Sequence, residues 1–307
     1  VKLEQIPAPV AGPGQVRVTV KATALNRADL LQTMGLYPPP PGIPPELPGM
    51  EFAGQIDALG EGVTGWKVGD RVMGLVGGAA WADQLVTVPR ELLRIPDALS
   101  FAEAAAIPEA FITAFDALTL QGGMKAGHTV LIHAVSSGVG TAAVQWAHLT
   151  GAKTVGTSRT AAKLERTKPL GLDVSLLQAG PTPSFADQVQ ADVVLELVGG
   201  AYFAESVEAL KPHGRLILVG LTGGLSSEVS LQRILSKRLR IQGTTMRSRE
   251  AEEKGATVEA FAAQVLPHFA SGRLKPVIGA TVSFEQLPQA LKQLAANETF
   301  GKTVVTL

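Results

Sequence analysis

A chain of 307 residues is about twice the roughly 150 that make a single domain, so two cores are expected. Its 46% hydrophobic and 18% charged residues exclude disordered and fibrous classes, and 27 basic against 27 acidic side chains leave no excess charge for nucleic acid or an anionic membrane. Cysteine is absent, which removes disulfides, thiol nucleophiles and cysteine-built zinc sites, and no run of about 18 apolar residues reads as a membrane span. The opening Val1–Glu4 lacks the basic and apolar regions of a secretory leader. Starting without Met, it reads as a chain that a short piece precedes. The expected partner is a small molecule or another protein, and the expected location cytoplasmic.

Val16, Val18 and Val20 alternate with Arg17, Thr19 and Lys21, the period of a half-buried strand. Strands are expected next at 51–59, 71–75 and 84–88, separated by the Gly60-Glu61-Gly62 and Gly69-Asp70 turns. Short strands at this spacing suggest a small barrel. The stretch from Pro38 to Pro48 holds too many prolines for regular structure and is expected as a stiff loop. Ser100 and Glu103 form a capping-box pair that opens a helix, expected to run to Leu120 with a kink at Pro108.

Beyond that point strand and helix patterns alternate. Strands are expected at 129–133, 153–157, 193–197, 216–220 and 240–244, with helices at 139–149, 161–170 and 204–210. Such alternation predicts a parallel sheet covered on both faces. A helix from Ala256, a strand at 280–283, a helix at 284–295 and a strand at 302–307 complete the reading.

Gly138, Gly140 and Ala143 form a G-x-G-x-x-A between a strand and a helix. Glycine permits a tight turn and close approach of a pyrophosphate, while the unpaired N–H groups of the helix start attract its charge. The pattern therefore predicts a dinucleotide site. A site for NAD presents Asp or Glu about 20 residues past the first glycine. Here that place holds Ser158 and Arg159, with Lys163 following in the next helix. A guanidinium in place of a carboxylate suits a 2′-phosphate, so NADPH is the expected cofactor. Val198-Gly199-Gly200 and Gly220-Leu221 end two later strands and are expected at its nicotinamide end. His133 at a strand end reads as structural, and the other histidines share no metal-ligand spacing.

Several stretches resemble a known family: Asn26–Gln32, Gly35–Gly42, Pro48–Gly54, Gly69–Val72, Ile107–Phe115, His133–Gly140 and Gly301-Lys302. In this order, and across essentially the whole chain, they are similar to the zinc-free, zeta-crystallin-like quinone oxidoreductase branch of the medium-chain dehydrogenase/reductase superfamily. The resemblance implies an α/β fold in which a GroES-like β-barrel catalytic domain (1–106 and 246–307) flanks a Rossmann doubly wound parallel sheet (107–245), in a homodimer or homotetramer.

It also implies an NADPH:quinone oxidoreductase that needs no metal and works in an interdomain cleft. Two alternatives stand beside it, an NADPH-dependent enone or alkenal reductase and a non-catalytic, crystallin-like NADPH-binding protein. Carried over position by position, the resemblance puts Asn26 and Tyr37 in the catalytic cleft and Thr113 beside the cofactor. Ser137, Gly138, Val139 and Gly140 fall at the pyrophosphate, and Ser158, Arg159 and Lys163 at the 2′-phosphate. Asn297 and Lys302 close over the cofactor from the C-terminal segment. Asparagine occurs only at 26 and 297, so both asparagines fall on implied site positions. Read from the residues alone, Tyr37 serves equally as packing for the proline loop and Asn26 as the cap of a turn.

Overall fold

A computed structural model of the chain describes residues 1–180 and 182–307. It has two compact units, Val1–Ile112 with Met246–Leu307, and Thr113–Thr245. The first begins with β1 (Val16–Ala24), α1 (Arg27–Thr33), β2 (Glu51–Leu59), β3 (Arg71–Leu75), β4 (Gln84–Thr87) and β5 (Leu92–Arg94). β1 is the hub. β2 pairs antiparallel along its length, β4 pairs with Val16–Thr19, and β3 and β5 extend the sheet beyond β2. The alternating valines of β1 point into a core with Phe52, Ile56, Val72 and Leu85, as the period of two requires.

Residues 38–48 form turns and no regular element. The loop ends at Gly49, whose φ of +106° and approach to Trp81 admit no other residue, because a Cβ there would lie 2.4 Å from the Trp81 backbone nitrogen. The capping box forms as its residues dictate, with Ser100 Oγ accepting from the Glu103 N–H and the Glu103 carboxylate accepting from the Ser100 N–H. The single kinked helix expected from there to Leu120 is instead divided. α2 (Phe101–Ala105) stops, α3 (Pro108–Phe115) starts afresh, and a wider π-type turn covers Asp116–Gln121. Pro108 has no N–H to continue the ladder, so it begins a helix rather than bending one.

The second unit contains β6 (Thr129–Ile132), α4 (Gly138–Leu149), β7 (Lys153–Ser158), α5 (Ala161–Thr167), β8 (Val174–Leu177), β9 (Ala191–Glu196), α6 (Ala201–Ala209), β10 (Leu210–Leu218), α7 (Leu231–Lys237) and β11 (Arg240–Gly243). The six strands are parallel in the order β11-β10-β9-β6-β7-β8. Leu131, Val155, Val194 and Leu216 belong to its buried core, packed with Phe185 and Val207. β8 and α7 are additions to the elements read from sequence. α5 ends earlier than expected because Pro169 cannot donate to a further helical turn, and a 3₁₀ turn at Lys168–Leu170 takes its place.

The chain then returns to the first unit through α8 (Ala251–Gln264), α9 (Leu266–Ala270), β12 (Ile278–Ser283), α10 (Leu287–Ala295) and β13 (Lys302–Thr306). β13 pairs antiparallel with β1 at Ala22–Ala24 and parallel with β12. The last strand of the chain thus completes the sheet started by the first. That closure brings Lys302 beside Asn26.

Candidate functional site

In the parallel sheet the chain runs outward from β6 through β7 to β8, then crosses back to place β9 on the other side of β6. Ligands of open α/β sheets bind at the carboxyl ends of the strands where the order reverses, here between β6 and β9. Leaving β6, the backbone passes through Ala134 at φ 47° and enters α4 at Ser137, whose Oγ accepts from the Gly140 N–H at 3.0 Å. The Gly138 and Val139 N–H groups have no acceptor among the described residues. A Cβ on Gly140 would lie 2.3 Å from the Ala134 carbonyl oxygen, so only glycine lets the helix start this close to the strand exit.

At the end of β7, Ser158 is buried and its Oγ accepts from the Thr160 N–H, while Arg159 is exposed. Burial and the neighbouring Arg159 and Arg166 guanidiniums lower the pKa of Lys163. Like charges crowded in this way suit an anion that would relieve them.

The end of β9 is organised from within. Glu196 is fully buried; its Oε1 accepts from the Val198 and Gly199 N–H groups at 2.8 and 2.9 Å, and its Oε2 accepts from Ser206 Oγ at 2.8 Å. Ser206 Oγ in turn lies 2.8 Å from His133 Nε2, and His133 Nδ1 lies 2.9 Å from Thr157 Oγ1. With Ser206 donating to Glu196, its oxygen accepts from Nε2–H and Nδ1 accepts from Thr157. Burial lowers the His133 pKa against the opposing pull of Glu196, consistent with this neutral ring. A relay across β7, β6, α6 and β9 therefore fixes the Val198–Gly199 turn, and His133 has the structural role its position suggested.

At the end of β10, a Cβ on Gly220 would lie 2.6 Å from the Leu197 carbonyl oxygen. Leu221 lines a cavity of about 290 Å³ with Leu218, Val219 and Gly243–Thr245. Thr113 is buried in α3. Two free N–H groups at a glycine-lined helix start, and cations where a carboxylate would otherwise meet the ribose, fit a phosphorylated dinucleotide.

In the first unit, Asn26 stands at the N-cap of α1 and is 4% exposed, but its side chain makes no capping hydrogen bond among the described residues. Its backbone N–H donates to Asp29 Oδ2 at 2.9 Å. Its side-chain amide donates to Glu51 Oε1 at 3.0 Å and to the Ala24 carbonyl at 3.4 Å, and its Oδ1 accepts from Lys302 Nζ at 2.5 Å. Both amide hydrogens are committed, so an acceptor meets this amide only by exchange with the longer contact. Lys302 Nζ also donates to Glu51 Oε1 at 2.6 Å and to the Leu25 carbonyl at 3.1 Å, and lies 3.8 Å from Glu109 Oε2. The structure thus joins Asn26 to Lys302. Asn297 lies apart from them, exposed at φ 59°, with its Oδ1 accepting from Arg27 at 2.6 Å.

Tyr37 does pack at the head of the proline loop. The Arg247 guanidinium stacks 5.0 Å from its ring centroid and donates to the Tyr37 carbonyl at 3.1 Å, the Gly77 carbonyl at 2.7 Å and Gln32 Oε1. Burial raises the pKa of the Tyr37 hydroxyl despite Arg247, so it stays a donor at neutral pH.

Sequence reasoning missed the acid side of this site. Asp29, Glu51 and Glu109 surround Lys302, three carboxylates on one ammonium. Burial lifts Asp29 to about 7 against the pull of Lys302, and lifts Glu109 to about 7 against the same ammonium, with Glu51 adding to both. Burial disfavours the Lys302 charge, but the carboxylates outweigh it and raise its pKa. All three lie in stretches that carried the resemblance, Asn26–Gln32, Pro48–Gly54 and Ile107–Phe115, but none of them was given a catalytic or binding role there. Among the described residues no three His, Cys, Asp or Glu side chains are arranged to hold a metal ion, and no helix is long and apolar enough to cross a membrane.

Two family models match successive stretches of the chain. Residues 12–114 match the alcohol dehydrogenase GroES-like domain, and residues 138–263 the family described as zinc-binding dehydrogenase. The human synaptic vesicle membrane protein VAT-1 homolog is 33% identical over 99% of this chain and 82% of its own length. A quinone oxidoreductase of Pseudomonas syringae pv. tomato superposes with a TM-score of 0.87 at 28% identity, covering 99% of this chain and 94% of that one. A mycobacterial protein solved in complex with NADPH also superposes at 0.87, with 26% identity and the same coverage.

Proposed function

This chain belongs to the quinone oxidoreductase-like, zinc-independent branch of the medium-chain dehydrogenase/reductase superfamily, and from that premise we propose that it reduces quinones with NADPH. It is an oxidoreductase, with a GroES-like domain and a Rossmann sheet. The observation that carries the cofactor choice is the end of β7, where Ser158, Arg159 and Lys163 stand in place of a ribose-binding carboxylate. The Arg159 fork and the Ser158 hydroxyl match a 2′-phosphate. The Gly138 and Val139 N–H groups, beside Ser137 and Gly140, receive the pyrophosphate. Thr113, Val198, Gly199, Gly220 and Leu221 flank the nicotinamide end, and Asn297 with Lys302 belongs to the C-terminal contribution.

Bound there, the dihydronicotinamide supplies a hydride. The chain's own work is positioning and charge stabilisation. Tyr37 offers its hydroxyl to the oxygen on which negative charge develops, and Asn26 anchors the Lys302 ammonium. A quinone suits such a site because its reduced form delocalises that charge. Steady-state NADPH oxidation with benzoquinones and, in parallel, alkenals tests the reading. Quinones are expected to be the faster acceptors. Faster alkenal turnover assigns an enone reductase instead, and tight NADPH binding with no acceptor consumed assigns a binding protein.

Arg159→Ala is expected to weaken NADPH by about 1.5–3 kcal/mol, the range for a hydrogen bond to a charged group, and to leave NADH unchanged in calorimetric titration. Equal losses for the two nucleotides would remove the 2′-phosphate from this strand end.

A further inference from the structure

A reductase of carbonyl-conjugated acceptors needs a proton as well as a hydride, and the site described so far names no source for it. The cluster around Lys302 supplies one. Its three carboxylates differ in what their oxygens already do. Glu51 Oε1 accepts from Lys302 and Asn26, and its Oε2 accepts from the Glu109 N–H at 2.8 Å. Asp29 Oδ1 accepts from the Gly49 N–H at 3.2 Å and Oδ2 from the Asn26 N–H. Both acids are sealed from solvent and structurally engaged. Among the described residues the Glu109 carboxyl has only the 3.8 Å approach of Lys302, and 18% of its side chain is exposed.

We propose that Glu109 is the catalytic acid of this enzyme, holding the proton that its acceptor takes up. The inference rests on the reductase reading above. A single ammonium cannot neutralise three carboxylates away from water, so a proton stays in the cluster, and the acid with the weakest partners keeps it. The groups facing Glu109 are Lys302 on β13, Glu51 on β2 and Asp29 on α1, and its charge also reaches Tyr37. A value of about 7 for Glu109 suits transfer at neutral pH, where donor strength and protonated fraction are both appreciable.

The step balances simply. As the acceptor gains hydride from the dihydronicotinamide, the carbonyl electron pair moves onto oxygen. The Glu109 O–H bond breaks as the new O–H bond forms, leaving hydroquinone or enol and a Glu109 carboxylate. That carboxylate lies in the first turn of α3, whose N-terminal field stabilises it until water returns the proton through the exposed edge.

Two measurements test this. Infrared spectra of the nucleotide-free protein, titrated between about pH 5 and 9, are expected to show a carboxylic-acid carbonyl band fading near neutrality. Because Asp29 also titrates in this range, Glu109→Gln should remove one component of the band and leave the part that Asp29 contributes. A band of undiminished intensity in Glu109→Gln, or no such band in the wild type, overturns the assignment whatever the acceptor. In turnover with benzoquinone, Glu109→Gln is expected to lower kcat/KM about 10²-fold or more, flatten its decline on the basic side, and leave the affinity for NADPH unchanged. An active variant with the wild-type rate and pH profile overturns the donor role and leaves the reductase reading intact. A wild type inert toward every quinone and alkenal overturns the reductase reading and the donor role with it.

Discussion

Lys302→Met is expected to lower the stability of the fold by about 3–5 kcal/mol, the range for a buried ion pair that loses one partner, measured as a shift in urea midpoint at unchanged slope. The size follows from what Lys302 touches. Its three ammonium hydrogens go to Glu51, Asn26 and the Leu25 carbonyl, and it is the only cation in hydrogen-bond or ion-pair range of Glu51 and Glu109 among the described residues, with Asp29 in its field. Methionine keeps the length of the side chain and removes the charge, so the loss reports electrostatics rather than a cavity.

The sign of the pH dependence is a second check. Asp29 and Glu109 carry folded values of about 7, above those of an unfolded chain. Between those limits the folded state holds more protons, so each group takes stability away as pH rises through this window. In the variant Asp29 and Glu109 lose the ammonium that lowers them and rise further, so the deficit relative to wild type should be larger at neutral pH than in mild acid. His133, lowered by burial, works in the opposite sense below the ordinary imidazole value. It contributes equally to both proteins and cancels in the difference. Equal midpoints across this range would mean that water reaches the cluster and screens it.

That cluster was hidden from sequence reasoning for a physical reason. Asp29, Glu51, Glu109 and Lys302 sit on α1, β2, α3 and β13, and only the non-local pairing of β13 with β1 brings them together. No local period records such a pairing. The sequence does carry the local rules: the alternation at Val16–Val20, the Ser100–Glu103 cap and the glycine turn before α4 were all readable because each depends on residues within one turn or strand. β8 escaped because Val174–Leu177 is short and only partly buried, with too few residues to establish a period. The helix drawn through Pro108 was misread because Ala104–Ala106 is apolar on every side, leaving the proline as the one mark of a boundary and no way to tell a kink from a restart. Arg247 gave no signal either. Its use depends on the stacking of Tyr37 and on carbonyls from two separate loops.

The glycine turn is the part of the site where sequence and geometry can be separated most sharply. Gly140→Val is expected to abolish saturable dinucleotide binding, with a loss of at least about 10²-fold, as befits displacement of binding groups by around 1 Å. A Cβ at residue 140 meets the Ala134 carbonyl at 2.3 Å and the Val135 Cα and carbonyl carbon at 2.7 and 2.8 Å. These are backbone atoms at the exit of β6, with no rotamer to turn aside, so α4 itself must move. With it go the Gly138 and Val139 N–H groups and the Ser137 hydroxyl, which accepts from the Gly140 N–H. The overpacking should also lower stability by about 1–3 kcal/mol. Gly243→Ala makes the control within the same unit, since a Cβ there meets nothing within 4 Å. Fluorescence titration with NADPH should separate the two variants, one blind to the nucleotide and the other close to wild type. A Gly140→Val protein that still binds NADPH at wild-type strength would place the pyrophosphate elsewhere, and the roles given to Ser158, Arg159 and Lys163 along the same edge would lose their anchor.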